Sequence, residues 1–301
     1  MEHAVTDEPQ AHMGLPLPNG KLAMWLFLVT EIMFFTALIG TYLLIRMGMP
    51  TTSQPWPTPK DVHLIEAIGA FNTFVLISSS LTVVLAHWSL HTGNVRKATM
   101  YLGVTLALGA VFLVVKAFEY KSKIEHQILP GRVPEKLDGT NGYRYLRKVK
   151  EQLEHIVGPH GHASDNAKKA CQKLLNDMET LNLSAKQVNL RIAGSKVRPI
   201  DEPTPGAAKD AKGILEEFHD EDLHLAHSIP FGNMWASCYF AMTGFHALHV
   251  LGGLVVFAII LIMAWRGKFG VQHMNLVEYT GLYWHFVDIV WIFLFPLLYL
   301  V

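Results

Sequence analysis

The sequence predicts an all-α protein, a polytopic membrane bundle of five transmembrane helices with a polar, mostly helical insert outside the membrane. Half of its 301 residues are hydrophobic and only 17% are charged, whereas a soluble domain usually has about 25% charged residues. Five apolar stretches reach the length of about 20 residues that a helix needs to cross a bilayer. A polar stretch of mixed charge, residues 121–230, separates the third from the fourth.

The predicted spans also set the domain limits. In chain order the spans are Leu22–Ile45, Leu64–Leu85, Ala98–Phe118, Met234–Ala264 and Tyr279–Val301. We therefore expect an N-terminal tail (1–21), three transmembrane helices (22–120), the insert (121–230) and two further transmembrane helices (231–301). The tail lacks the basic start and the short apolar run of a cleavable signal peptide, so the first span is expected to be retained.

Short basic segments predict the orientation of the chain in the membrane. Arg96 and Lys97 follow the second span, Arg266 and Lys268 follow the fourth, and Lys21 precedes the first. Short loops that contain Lys and Arg stay on the cytoplasmic side. The N-terminal tail is therefore expected to be cytoplasmic, and the insert and the C-terminus are expected on the outer side.

Composition also argues against several classes of protein. The formal net charge is zero, so no basic field indicates a nucleic-acid partner. Cys171 and Cys238 are too few for a disulfide framework or a four-cysteine zinc site. They lie in segments of different character, one polar and one apolar, so we expect no bridge between them.

Two segments of the insert have the apolar spacing and the start signals of helices, and a third resembles a linker. The helical segments are 143–157 and 164–183, whereas 198–206 contains three prolines and one glycine. We therefore expect a small helical subdomain outside the membrane.

The end of the insert, residues 213–227, is acidic and contains His219, His224 and His227. Histidines with nearby carboxylates permit metal binding. The step from 219 to 224 is poor spacing for one helical face, however, so we favour a solvated acidic helix that leads into the membrane.

Ionisable residues inside the spans are numerous, although such residues are rare in membrane helices and usually face protein rather than lipid. They could be hydrogen-bonded packing elements, a proton or ion relay, or ligands of haem or copper. We favour packing, because the histidines form no obvious axial pair for a haem. The candidates are Glu31, Glu66, His87, Lys116, Glu119, His246, His249, Glu278, His285 and Asp288.

Spacing predicts how the candidates in the last span are arranged. Glu278, His285 and Asp288 are seven and three residues apart and share one helical face. We expect His285 and Asp288 to pair with one another or with polar groups across the bundle, with His246 or His249 within reach. The last span would then fix helix register rather than conduct protons.

Glu31 lies deep in the first span with no cation nearby in the sequence. Because a charged carboxylate is costly at that depth, we predict that it is protonated and faces protein or a bound lipid.

Motifs in all five spans resemble those of a known family. They are "MWLFLVTEIMFFTALIGTY" (24–42), "FNTFVLISSSLTVVLAHWSL" (71–90), "FEY" (118–120), "YFAMTGFHALHVLGG" (239–253) and "YWHFVDIVWIFLF" (283–295). Together, and in this order, they resemble subunit III of the haem–copper oxidases, in its five-helix bacterial type.

The resemblance implies a non-redox subunit of a proton-translocating cytochrome c oxidase in a bacterial plasma membrane, a complex that reduces oxygen to water. Haem and copper are expected in partner subunits and none in this chain. The resemblance further implies packing on subunit I, with subunit II in the same complex, bound phospholipid, and support of proton uptake and of the stability of the catalytic subunit. Arg266 is the candidate for a lipid headgroup contact.

Two features depart from the family pattern. The insert is not a standard family element, and its outer position would allow contact with cytochrome c or an additional subunit. Lys116 stands where the family commonly has Gln, so we expect either an ion pair with Glu119 or a side chain that extends to the interface.

Other functions stay open on the sequence. They are subunit III of a quinol oxidase, an accessory protein of nitric oxide reductase, a stand-alone b-type cytochrome and a transporter. The last is disfavoured because no inverted repeat or broken span is visible.

Overall fold

The computed structural model describes residues 19–48, 56–59, 61–159, 163–194, 212–218 and 223–300, and in these ranges the chain forms helices joined by turns. The predicted linker, 198–206, and His219 lie outside the described residues. The helices, in chain order, are α1 (Asn19–Gly48), α2 (Glu66–His91), α3 (Val95–Glu125), α4 (Gly139–Val157), α5 (Asp165–Thr180), α6 (Ala185–Ala193), α7 (Ile214–Glu217), α8 (Gly232–Trp265) and α9 (Met274–Phe295). A short 3₁₀ turn precedes α9, and a π-helical turn (Pro296–Leu300) follows it.

Five helices are long and apolar enough to cross a membrane, which confirms the predicted bundle. They are α1, α2, α3, α8 and α9, and the first four each extend a few residues beyond the predicted apolar stretch. The additional residues at the helix ends are mostly polar, so a search for apolar stretches of membrane-spanning length does not include them.

The bundle core is formed by α2, α3, α8 and α9, whereas α1 packs on the outside against α8 and α9. Glycines allow the close approach of the core helices. A Cβ atom on Gly253 would lie 2.6 Å from the Trp284 ring, and one on Gly109 would lie 2.9 Å from the same ring. Small residues at helix contacts let membrane helices approach closely, so Trp284 fills the space that both glycines leave.

The insert is a separate helical layer with its own apolar core. Helices α4 and α5 confirm the two predicted helical segments, and α6 adds a third that begins with a capping box between Ser184 and Gln187. Each helix turns one apolar stripe inward. Its core includes Val149, Leu153, Cys171, Val188 and Ile192.

The predicted acidic helix over 213–227 is wrong. Helix α7 has four residues, and 223–229 has no helical structure. The 223–229 segment instead places Leu223, Leu225 and Ala226 in the insert core. Side chains of the insert bond to its backbone in place of helical hydrogen bonds. For example, the Ala226 amide donates to the Gln152 side chain at 2.9 Å.

The insert joins the bundle through two connecting segments that bond to each other. The amide of Ile229 donates to the carbonyl of Pro134 at 3.1 Å. The side chain of Asn233 accepts from the amide of Val133 and donates to its carbonyl, at 3.0 and 2.9 Å. The chain therefore leaves α3 and returns to α8 at one end of the bundle, the end where the α1–α2 connection also lies.

No disulfide joins the two cysteines in the structure. Cys171 is buried in the insert and Cys238 lies in α8.

Candidate functional site

Glu31 of α1 and His249 of α8 form a polar pair between two membrane helices. Glu31 Oε2 lies 3.0 Å from His249 Nε2. His249 Nδ1 lies 2.7 Å from the carbonyl of Phe245, so it carries a hydrogen and donates there. The contact between Glu31 and Nε2 consequently holds one proton, which is either on the carboxyl group or on the imidazole ring.

The pair is half-buried at the side of the bundle that α1 covers. The Phe35 ring packs edge-on against the His249 ring, with centroids 5.2 Å apart. Tyr283 of α9 donates to the carbonyl of His249 at 2.9 Å. Glu31 therefore faces protein, against a histidine that lies 218 positions away in the chain. Its protonation state stays a prediction.

A second polar group is buried where α3, α8 and the C-terminal turn meet. We name it the Lys116 cluster, which consists of Lys116, Glu119, Tyr239 and Tyr299. Lys116 Nζ lies 3.0 Å from Glu119 Oε1 and 3.0 Å from the hydroxyl of Tyr299. Tyr299 donates to Glu119 at 2.7 Å, and Tyr239 donates to the same carboxylate.

Of the two expectations for Lys116, the structure thus shows the ion pair with Glu119. The amine also lies 5.0 Å from the centre of the Trp291 ring, within the range of a cation–π contact. Sequence analysis missed Tyr239 and Tyr299, although Tyr239 begins one of the quoted motifs.

The candidates of the last span contact different helices. Glu278 pairs with Lys21 of α1 at 2.5 Å. His285 Nδ1 lies 2.5 Å from the hydroxyl of Ser80 on α2. Asp288 is buried, and neither of its carboxyl oxygens has a hydrogen-bond partner among the described residues.

His285 thus makes the expected contact with a polar group across the bundle. Asp288 lies near the same Ser80 hydroxyl, but it does not complete the expected hydrogen bond with the described residues. Of the α8 histidines, His246 reaches the last span as expected, since its Nε2 lies 3.2 Å from the carbonyl of Val287. His249 contacts Glu31, and neither histidine bonds to the His285 or Asp288 side chain in the described residues.

The remaining candidates lie apart from these groups. His87 is half-buried in α2, Glu66 is exposed at the start of α2, and Arg266 is exposed at the C-terminal end of α8. Among the described residues, no group of three or more His, Cys, Asp or Glu side chains is arranged to hold a metal ion.

Comparison with known proteins supports the motif resemblance. The family model described as "Cytochrome c oxidase subunit III" matches residues 11–126 and 217–301. These two segments contain all five membrane helices, the Glu31–His249 pair and the Lys116 cluster. They leave most of the insert, residues 127–216, outside the match.

Curated relatives named "Cytochrome c oxidase subunit 3" align with nearly the whole chain. The protein of Thermostichus vulcanus is 25% identical over 284 residues, which are 93% of this chain and 86% of that protein. The protein of Corynebacterium diphtheriae is 23% identical over 295 residues, which are 97% of this chain and 94% of that protein.

A third relative of the same name, from Synechocystis, is 48% identical over a shorter stretch of 73 residues, which are 23% of this chain and 30% of that protein. The bundle, the motifs within it and the family match agree, and the chain belongs to the cytochrome c oxidase subunit III family.

Proposed function

We propose that this chain is the non-redox subunit III of a terminal oxidase that reduces oxygen to water in a bacterial plasma membrane. Family membership supports a place in an oxidase complex. The name shared by the relatives favours cytochrome c over quinol as the electron donor. Haem and copper would lie in partner subunits, and the ionisable side chains of this chain would act on protons and on packing.

The Glu31–His249 pair is the observation that carries the part of this proposal that concerns protons and packing. It lies beside the most exposed apolar surface of the bundle, since α1 buries only Phe35 and Tyr42. Large side chains point outward along α1, including Leu26 (61% exposed), Met33 (67%) and Leu44 (74%). Such a surface needs lipid or the helices of a partner subunit. We propose that it packs on subunit I and holds phospholipid, with Arg266 toward a lipid headgroup.

The single shared proton gives the pair its chemistry. When the proton is on Glu31, both groups are neutral, and the cost of at least ~2.5 kcal/mol for an unpaired charge at membrane depth is avoided. When it is on His249, the two groups form an ion pair at 3.0 Å. The pair can therefore move its proton between the two groups without breaking their contact, next to the surface assigned to subunit I. Release of that proton would leave two acceptors, Oε2 and Nε2, facing each other.

Glu31→Gln in the intact oxidase tests this role. The Gln amide can still donate to His249 Nε2, but it has no proton to release. We expect normal assembly, a several-fold slower uptake of protons, and faster loss of activity during sustained turnover. Glu66→Gln, which changes an exposed carboxylate on α2, is the matched control. Normal proton uptake and normal durability in Glu31→Gln would contradict the proposed role.

We also propose that the insert lies on the outer side, where it would contact cytochrome c or an additional subunit. Positive charge at the opposite end of the bundle supports this orientation: Lys21, Arg96, Lys97, Arg266 and Lys268. Protease added to the outer side of sealed membranes should cut within 139–217. Cleavage only in inverted vesicles would reverse the assignment. Purification with a copper-containing subunit II would favour the oxidase over the accessory protein of nitric oxide reductase.

A further inference from the structure

Four histidines meet where the insert joins the membrane bundle. We name this group the histidine junction: His63 of the α1–α2 connection, His126 at the end of α3, and His224 and His227 of the segment that leaves the insert. The ring centres of His63 and His126 lie 4.1 Å apart in a stack, and those of His126 and His224 lie 4.7 Å apart. His227 is 6.3 Å from His63. Three chain segments thus converge through imidazole rings.

Hydrogen bonds fix where the protons of two of these rings lie. His126 Nδ1 is 2.8 Å from the carbonyl of Ser122, so it carries a hydrogen and donates there. In a neutral His126 ring Nε2 is then an acceptor, and it lies 3.3 Å from His224 Nδ1, which can donate to it. This arrangement fits two neutral rings. A further proton on His126 Nε2 would point directly at the N–H of His224.

The surroundings of the junction also oppose positive charge. Lys123 is buried, and its amine donates to the carbonyls of Val62 and His63. These bonds hold His63 at a φ of 51°, a left-handed conformation that non-glycine residues adopt infrequently. Asp61, from the same connection, attracts positive charge on His227 and partly offsets this effect. Among the described residues, a protonated His63 would otherwise face the buried Lys123 amine and three further imidazoles.

The segment that carries His224 and His227 is bonded tightly to the insert. Tyr145 of α4 donates to the carbonyl of Ala226 at 3.2 Å. The amide of Ser228 donates to Asn189 of α6 at 2.7 Å. A displacement of these two histidines from His63 and His126 would therefore move the insert with them.

We propose that the histidine junction is a proton-operated latch, which seats the insert on the bundle while its imidazoles are neutral and releases the insert when they become protonated. If the insert lies on the outer side, as proposed above, the latch responds to the compartment into which the oxidase delivers protons. The latch itself does not depend on that orientation.

The pH dependence follows from the junction's geometry. Burial, and then the nearby His126, lowers the pKa of His63 to about 3, and burial also lowers the pKa of His227. A histidine whose pKa is lower in the seated form than in the released form favours seating above about pH 6.5. Below that pH, each such histidine weakens seating by up to about tenfold per pH unit. Because the His63 residue is exposed, solvent screens this ring, and its contribution falls below that limit.

Hydrogen–deuterium exchange on the purified, intact complex tests the latch. At pH 7.5 we expect slow exchange at the amides of Val133 and Ile229, which bond between the two connecting segments. The amides of Ala226 and Ser228 bond within the insert and should stay protected at both pH values. At pH 5.0, after correction for the intrinsic rate, we expect exchange at the Val133 and Ile229 amides to rise at least tenfold relative to the interior of the bundle. Equal protection of these two amides at both pH values would overturn the proposal.

Two sets of variants connect this response to the junction. His63→Asn with His227→Gln replaces the two rings whose pKa the junction lowers with side chains that do not titrate, and the pH response should shrink to less than threefold. If this double variant does not assemble, His227→Gln alone should reduce the response. His155→Gln, on the exposed face of α4, is the control and should keep the full response. An unchanged response in assembled junction variants would overturn the latch.

A zinc-binding experiment distinguishes a latch from a metal site at the histidine junction. If Zn²⁺ added at pH 7.5 binds at one equivalent, slows exchange of 223–229, and loses both effects in the double variant, the junction is a metal site and the latch proposal fails. No binding at one equivalent supports the latch.

Discussion

The membrane bundle and the insert are both helical, but they handle polar groups in different ways. Inside the bundle, the ionisable residues Lys116, His246 and Asp288 are buried. In the insert, charged side chains lie at the surface. Arg147 and Glu151, for example, form a pair of exposed residues one helical turn apart.

The difference follows from what surrounds each region. The insert is surrounded by water, so each of its helices buries one apolar face and exposes its polar residues to solvent. The bundle is surrounded by hydrocarbon, so its helices are apolar on all sides. The few ionisable residues in these helices face the interior of the bundle. Removal of a polar group should therefore destabilise the protein more in the bundle than in the insert or at the surface. The two predictions below test this comparison.

The largest effect is expected for Lys116→Met. It leaves Glu119 buried without its cation, and removal of one partner of a buried ion pair typically costs about 3–5 kcal/mol. We expect a large fall in the yield of assembled complex and a lower thermal unfolding temperature in detergent. Lys121→Met, which removes an exposed lysine paired with Glu125 on the same helix, should cost no more than about 1 kcal/mol.

A second variant sharpens this result. Lys116→Met combined with Glu119→Leu should be more stable than Lys116→Met alone, because no uncompensated charge remains. If Lys116→Met were as stable as Lys121→Met, the ion pair in the Lys116 cluster would not be present.

A smaller effect is expected from one matched substitution in both regions. Tyr299→Phe removes a donor to the Glu119 carboxylate and should cost about 1.5–3 kcal/mol, as is typical of hydrogen bonds to charged groups. Tyr145→Phe in the insert removes a donor to a neutral carbonyl and should cost about 0.5–1.5 kcal/mol. Thermal unfolding of both variants measures the difference. Equal losses would contradict the comparison.

The two regions were also predictable to different degrees. Helices α4 and α5 follow from an apolar stripe that water imposes, and the five spans follow from length and composition. The segment 223–229 was not predictable in the same way. Its apolar residues fit a helix locally, but they are buried in the insert core, where Gln152 and Asn189 satisfy its backbone amides.

The sequence by itself determined the five membrane helices, the helical insert and the positions of the ionisable residues, because hydrocarbon thickness and the hydrophobic effect act on local composition. Only the tertiary structure decided the partners of those residues. Glu31 meets His249 across 218 positions, and Lys116 meets Tyr299 across 183. An ionisable side chain inside the bundle offsets the cost of its burial only where an adjacent helix offers a polar group, as for Glu31 and Lys116 but, among the described residues, not for Asp288. The packing of five helices, rather than the order of residues in any one of them, determines which helix that is.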